Sequence, residues 1–200
     1  MGDVDDARLS RIITDVLEGE TEKFAEIIRT YQKSIFHYCF HMLGDAGDAE
    51  DSGQEIFLKA YRSMGKYSRE IPFGAWLYKI AYHHCIDVLR KRKLAKYLPF
   101  FYRDERQHRP VDWWVEENCF NEFVQRALAK LSAEERNLLI LRCVEEKSYD
   151  EIGLILQQNN ASLRKKYGRT AAKFRKYYAQ EKGVEPYDIG QGSGSETTIS

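Results

Sequence analysis

Lys165, Arg169 and Lys176 fall on one face of a helix expected to follow a turn at 157–160, opposite an apolar stripe of Leu163, Tyr167 and Phe174 and flanked by Arg164, Lys166 and Arg175. Such a face can neutralise phosphates or donate to acceptors on base edges. A short helix beginning near Tyr149 precedes the turn, which gives the outline of a helix-turn-helix, whose second helix enters the major groove. An ordinary solvated helix face would show the same pattern. Gly168, inside the basic helix, weakens it by about 1 kcal/mol relative to alanine; it either permits close backbone approach or is simply tolerated.

A second cationic set lies earlier. Tyr67, Phe73, Trp76, Tyr78 and Tyr82 are interleaved with Lys66, Arg69, Lys79, His83, Arg90, Arg92 and Lys93, a mixture suited to stacking on unpaired bases while following a backbone. Two plainer readings compete: the aromatics, Phe73 and Trp76 in particular, as core, and the basic run at 90–93 as the complement of a helix C-terminal dipole. His83 and Asp87 are four apart on one helix face but lack a third convergent ligand, so no metal or acid-base site is expected. Cys39, Cys85, Cys119 and Cys143 are far apart and read as buried reduced thiols. The chain contains no Walker-type glycine loop and no serine elbow, so neither an enzyme nor a cofactor is expected.

The elements that must carry these residues are helices. Phe24, Ile27, Ile28, Tyr31, Ile35, Cys39, Met42 and Leu43 keep the spacing of one helical face, and Gly44 is the expected stop. Asp48 is the expected N-cap of a second helix carrying Ile56, Phe57, Ala60, Tyr61 and Met64. Pro72 suits the first turn of a third, with Leu77, Ile80, Ala81, His84 and Val88 inward. Period is lost over 96–118, which contains Pro99, Pro110, Trp113 and Trp114 and reads as an interdomain linker whose tryptophans pack on one of the chain's own domains or dock on a partner. Two capping boxes follow, Ser132 with Glu135 and Ser148 with Glu151. The first opens a helix with Leu138, Leu139, Leu141 and Val144, the second a short one with Ile152, Ile155 and Leu156. The glycine- and serine-rich stretch 183–200 reads as a disordered tail. The fold class is therefore all-α: a domain over 1–95, a linker over 96–118 and a helix-turn-helix domain over 119–182.

The 200 residues carry 31 lysines and arginines against 31 aspartates and glutamates, so net charge names no partner. Its distribution does: the first sixty residues are acid-rich and later segments base-rich, which suggests two surfaces for two partners. No stretch approaches the roughly 20 apolar residues that span a bilayer, and the acidic start is unlike a signal peptide. A cytoplasmic protein without membrane insertion is expected.

Three stretches, DAEDSGQEIFLKAYR (48–62), FGAWLYKIAYHHCIDVLRKRK (73–93) and LSAEERNLLILRCVEEKSYDEIGLIL (131–156), resemble in their order and spacing the bacterial sigma factors of the extracytoplasmic-function group, small two-domain promoter-recognition subunits of RNA polymerase. The resemblance covers 24–176. It implies that the acidic helix docks on the clamp helices of core polymerase through Asp51, Gln54, Glu55 and Arg62, and that the flap is a further polymerase contact. It implies that the loop 66–71 and the following helix, with Lys66, Tyr67, Lys79, His83, Arg90, Arg92 and Lys93, capture an unstacked base of the minus-ten promoter element. It implies that Ser162, Arg164, Lys165, Lys166 and Arg169 read the minus-thirty-five element as duplex, and that an anti-sigma protein controls the chain.

The chain departs from the family pattern at several positions. Asparagine is usual where His83 stands, which alters the chemistry of base capture. The turn usually carries glycine and an apolar residue where Gln157 and Gln158 stand, and often serine at Asn159, which alters its packing. The resulting expectation is a non-enzymatic sigma factor acting in transcription initiation. The alternatives are a free-standing helix-turn-helix regulator and a helical protein-binding adaptor or decoy without promoter activity.

Overall fold

The computed structural model describes residues 3–97 and 121–184, and among these it forms eight α-helices and no strand. α1 spans Asp3–Leu17, α2 Phe24–Leu43, α3 Ala46–Ser63 and α4 Phe73–Tyr97; then come α5 Glu122–Ala129, α6 Ala133–Cys143, α7 Tyr149–Leu156 and α8 Asn160–Lys182. Most of the linker, with Trp113 and Trp114, the first residues of the second domain, with Cys119, and the tail after Val184 lie outside the described residues.

α2 is the pillar of the first half. Its inward stripe, including Ile27, Ile35, Cys39 and Met42, is completely buried, and Gly44 ends it in the left-handed conformation (φ 75°), donating its N–H to the Phe40 carbonyl at 2.7 Å. α3 packs along α2 through Ile56, Phe57 and Ala60. Its N-cap is Asp45, not Asp48: the Asp45 side chain accepts from the backbone N–H of Asp48, which puts Asp48 inside the first turn. The Asp48 carboxylate is buried instead against the Arg92 guanidinium of α4. Arg92 also donates to the Leu43 carbonyl at 2.6 Å, so one side chain neutralises the start of α3 and caps the end of α2.

α4 buries Leu77, Tyr78, Ala81 and Cys85, a stripe shifted from the expected one: Ile80, His84 and Val88 are only partly covered. The helix continues through Tyr97, into the segment read as linker. The Cys39 and Cys85 sulfurs lie 3.8 Å apart in this core as free thiols.

In the second half both capping boxes form. Val144 caps the end of α6 rather than joining the core and is exposed, as is Cys143. α8 is held against α6 by Lys173, which donates to the Glu135 carboxylate at 2.9 Å, and by Leu163 and Thr170, which are buried.

The halves share one core. Leu138, Ile140 and Leu141 of α6, Ile152 and Ile155 of α7, and Leu163 of α8 form one continuous apolar cluster with the interior of α2, α3 and α4. Along the seam the Tyr38 hydroxyl donates to Asn137 Oδ1 at 2.7 Å, and the Tyr78 hydroxyl donates to the Glu145 carboxylate. Arg136, itself buried, donates to the Met42 carbonyl across the seam and to the Leu128 carbonyl, at 2.9 Å, in its own half. His41 and Gln125 share a hydrogen bond at 2.9 Å. Burial pushes the His41 imidazole down to about 4 and holds the Glu145 carboxyl above the usual carboxylate range.

Arg92→Ala leaves a buried carboxylate without its cation and α2 without its cap. Because Arg92 is one-third exposed, the expected loss is roughly 2–3 kcal/mol, at or below the usual range for breaking a buried pair. Arg90→Ala, which breaks only the exposed pair with Asp87, leaves stability nearly unchanged. Urea denaturation of both variants checks the contrast.

Candidate nucleic-acid interface

The helix-turn-helix is built from α7, the turn 157–159 and α8. Gln157 ends α7 in the left-handed region (φ 54°), and Asn159 caps α8 by accepting from the Ser162 backbone N–H at 2.8 Å. The Asn160 side-chain amide donates to the Asp150 carboxylate, tying the start of α8 to α7. The glycine on which this corner depends lies one turn earlier than the turn itself. A Cβ at Gly153 would stand 2.9 Å from the Gln158 carbonyl oxygen and 3.2 Å from Asn160 Oδ1, so the backbone can double back only over a residue without a side chain. Gly168, by contrast, faces open space, so no protein contact requires it.

Of the five residues expected to read the minus-thirty-five element, Arg164, Lys165 and Arg169 are exposed on α8. The Arg164 guanidinium lies over the Tyr149 ring, 4.7 Å from its centroid, which orients it without consuming its charge. Lys166 donates to Gln158 Oε1 at 2.7 Å, so the glutamine that replaces an apolar turn residue is held by a lysine of α8. Ser162 is half-buried, and its backbone N–H serves the cap.

The earlier cationic set divides. Lys66, Arg90 and Lys93 are exposed, and His83 is exposed beside the Tyr82 ring. Arg92 is occupied by Asp48 and the Leu43 carbonyl, and therefore serves the fold. Tyr67 donates its hydroxyl to the Ile71 carbonyl at 2.8 Å and packs edge-on against Phe73, bracing the loop expected to capture a base. Phe73 and Tyr78 are core residues, 3% and 2% exposed, so they offer no stacking platform. Trp76 is half-buried against Tyr67 and Phe73. The loop is further tied to α1: Arg69 donates to Thr14 Oγ1 at 2.6 Å. Among the described residues no group of three or more His, Cys, Asp or Glu side chains is placed to hold a metal ion, and Asp87 faces Arg90.

On α3, Asp51, Gln54, Glu55 and Arg62 are all exposed on the side opposite Ile56 and Ala60. Leu58 and Tyr61, 45% and 39% exposed, join them and give the face an apolar element that the reading from sequence missed. Leu58, seven residues beyond Asp51, lies on the same stripe, and its spacing could have revealed it.

Comparison with known proteins agrees with this geometry. Residues 27–95, essentially α2 to α4, match the family described as Sigma-70 region 2, and residues 124–173, from α5 into α8, match Sigma-70, region 4. The chain belongs to the sigma-70-like family of sigma factors, in its extracytoplasmic-function group. It is 29% identical over 163 residues to the ECF RNA polymerase sigma factor SigW of Bacillus subtilis, an alignment covering 74% of this chain and 84% of SigW. It is 27% identical over 189 residues to the RNA polymerase sigma-H factor of Pseudomonas aeruginosa, covering 88% of this chain and 93% of that one. In fold it resembles the sigma factor RpoE of Bartonella quintana, solved with the anti-sigma factor NepR, with a TM-score of 0.61, 17% identity and coverage of 78% and 96% of the two chains. It also resembles CnrH, solved with the cytosolic domain of CnrY, with a TM-score of 0.63, 18% identity and coverage of 82% and 92%. α1 and the first residues of α2 precede the matched region of this sigma factor.

Gly153→Ala forces the turn against α8. The expected result is a loss of roughly 1–3 kcal/mol together with weakened duplex binding, read by thermal unfolding and by fluorescence anisotropy. Gly168→Ala is expected to raise stability by up to about 1 kcal/mol, with the helix-turn-helix intact.

Proposed function

We propose that this sigma factor binds core RNA polymerase, recognises a promoter through two separated elements and helps open it, acting through binding energy and without covalent chemistry of its own. The observation that carries this reading is the order along one chain: an exposed acidic face on α3 in the region-two match, followed by an exposed basic helix in the region-four match.

In this reading residues 1–95 dock on polymerase through Asp51, Gln54, Glu55 and Arg62, with Leu58 as an added apolar contact. The same half captures the minus-ten element with Lys66, Lys79, His83, Arg90 and Lys93. Residues 119–182 contact the flap and read the minus-thirty-five element with Arg164, Lys165, Lys166 and Arg169, each bidentate base contact being worth about 1–3 kcal/mol of discrimination. Ser162, Tyr67 and Arg92 hold these surfaces in shape. His83 brings an imidazole where a side-chain amide is usual, and so shifts which unstacked base is preferred. Control by an anti-sigma protein is supported by the similar fold of the sigma factor RpoE, solved with the anti-sigma factor NepR. The site of action in this reading is the cytoplasm, where core polymerase and promoter DNA meet; among the described residues no helix is long and apolar enough to cross a membrane.

Run-off transcription from a library of promoter-like DNA, with bacterial core polymerase and with or without the protein, tests the reading. Sequence-selective transcripts that depend on the protein are expected. Binding to core without transcripts would instead indicate a decoy, and neither activity would indicate a free-standing regulator. Within that assay Asp51→Ala with Glu55→Ala is expected to weaken core binding about tenfold or more, whereas Arg169→Ala weakens promoter discrimination and leaves core affinity unchanged. Equal core affinity in the first variant would show the docking face to lie elsewhere.

A further inference from the structure

Lys166 stands on α8 at a place where a cation needs a reason. Leu163, three residues before it, and Thr170, four after it, are both buried, so the three side chains share the inward face of the helix. Arg164, Lys165 and Arg169 are exposed on the other faces, whereas Lys166 is half-buried. A long basic side chain ordinarily leaves such a position by running out along the surface to water. This one ends on the turn instead: its ammonium donates to Gln158 Oε1 at 2.7 Å.

Gln158 is anchored before its side chain begins. Its backbone N–H donates to the Gly153 carbonyl at 3.2 Å, and its own carbonyl oxygen lies so close to Gly153 that a Cβ there would stand 2.9 Å from it. The side-chain amide therefore leaves from a fixed point at the corner, just past the residue that ends α7. That is the end of a helix whose dipole favours a cation. The link is a hydrogen bond from a charged donor between two half-buried groups, and so is stronger than a neutral one. It ties the second turn of α8 to the corner, as Asn159 and Asn160 tie the first. An apolar side chain could hold the same corner by packing; a glutamine there needs a donor, and Lys166 is that donor.

We propose that Gln158 and Lys166 are a matched pair of positioning residues for minus-thirty-five recognition: the ammonium holds the turn, the turn sets the angle at which α8 leaves α7, and Arg164, Lys165 and Arg169 are thereby aimed at the duplex. This rests on the sigma reading given above and refines it, because Lys166 then serves recognition at one remove from the DNA. Such a pair is exchangeable as a unit but not singly. Removing one partner leaves the other half-buried and unsatisfied, whereas replacing both with apolar groups of similar shape is close to neutral.

The test is a double-mutant cycle on the full chain with Lys166→Met, Gln158→Met and the two together, each change being close to isosteric. Thermal unfolding is measured on the chain alone. With core polymerase, on a promoter recovered by the run-off selection, transcription from the intact minus-thirty-five element is compared with that from a scrambled one, and the salt dependence of promoter binding is followed. Each single variant should unfold at a lower temperature and lose about tenfold in the ratio, the size of one hydrogen bond to a charged group. The double variant should regain the wild-type unfolding temperature and a ratio within about twofold of wild type. The slope of log affinity against log salt should be equal in all four proteins. A loss in Lys166→Met that Gln158→Met does not restore, or a slope shallower by about 0.9 in both proteins lacking Lys166, would put the ammonium on the DNA and overturn the proposal. Single variants that discriminate as well as wild type would overturn it too. Absence of protein-dependent transcripts with the wild type, beside the expected cycle in thermal unfolding, would count against the sigma reading rather than the pair.

Discussion

The arrangement of this molecule turns on two tyrosines whose rings belong to one half and whose hydroxyls belong to the other. Tyr38 is wholly buried and Tyr78 nearly so, and burial holds both phenols far above their ordinary range, so they stay protonated and act as donors. A ring buried in this way needs a partner for its O–H, and for each tyrosine the structure supplies one across the seam, on or just after α6. The register between α2, α4 and α6 meets that requirement. The apolar contacts of Leu138, Ile140 and Ile152 fill in around it.

Arg136 extends the same logic to the backbone. The last carbonyls of a helix lack partners within it. At the end of α2 two of them are supplied by arginines from different halves, Leu43 by Arg92 and Met42 by Arg136. The end of α2, the start of α3 and the seam therefore form one polar knot.

Much of this could be read from the residues, because helix periodicity and caps are local. The stripe of α2, its glycine stop, both capping boxes and the basic side of α8 all lie where spacing put them. α1 and α5 went unread although Leu9, Ile12, Ile13 and Val16, and Val124, Ala127 and Leu128, carry the period: the first opens on a cluster of acids, and the second is only eight residues long beside an aperiodic stretch. The pairs that decide the architecture were out of reach. Nothing local joins Asp48 to Arg92 or Tyr38 to Asn137, and an interleaved aromatic such as Tyr78 looks the same from sequence whether it stacks on a base or fills a core. The substitution at Gln157 shows the converse: a non-glycine residue adopts the left-handed conformation there, with Gly153 providing the space for the corner.

Hydrogen exchange of the full chain tests most directly whether the halves share one core. The amides of Ile140, Leu141 and Ile152 should exchange through the same cooperative opening as those of Cys39 and Met42 in α2. Two independent openings already present in the free chain would contradict the account.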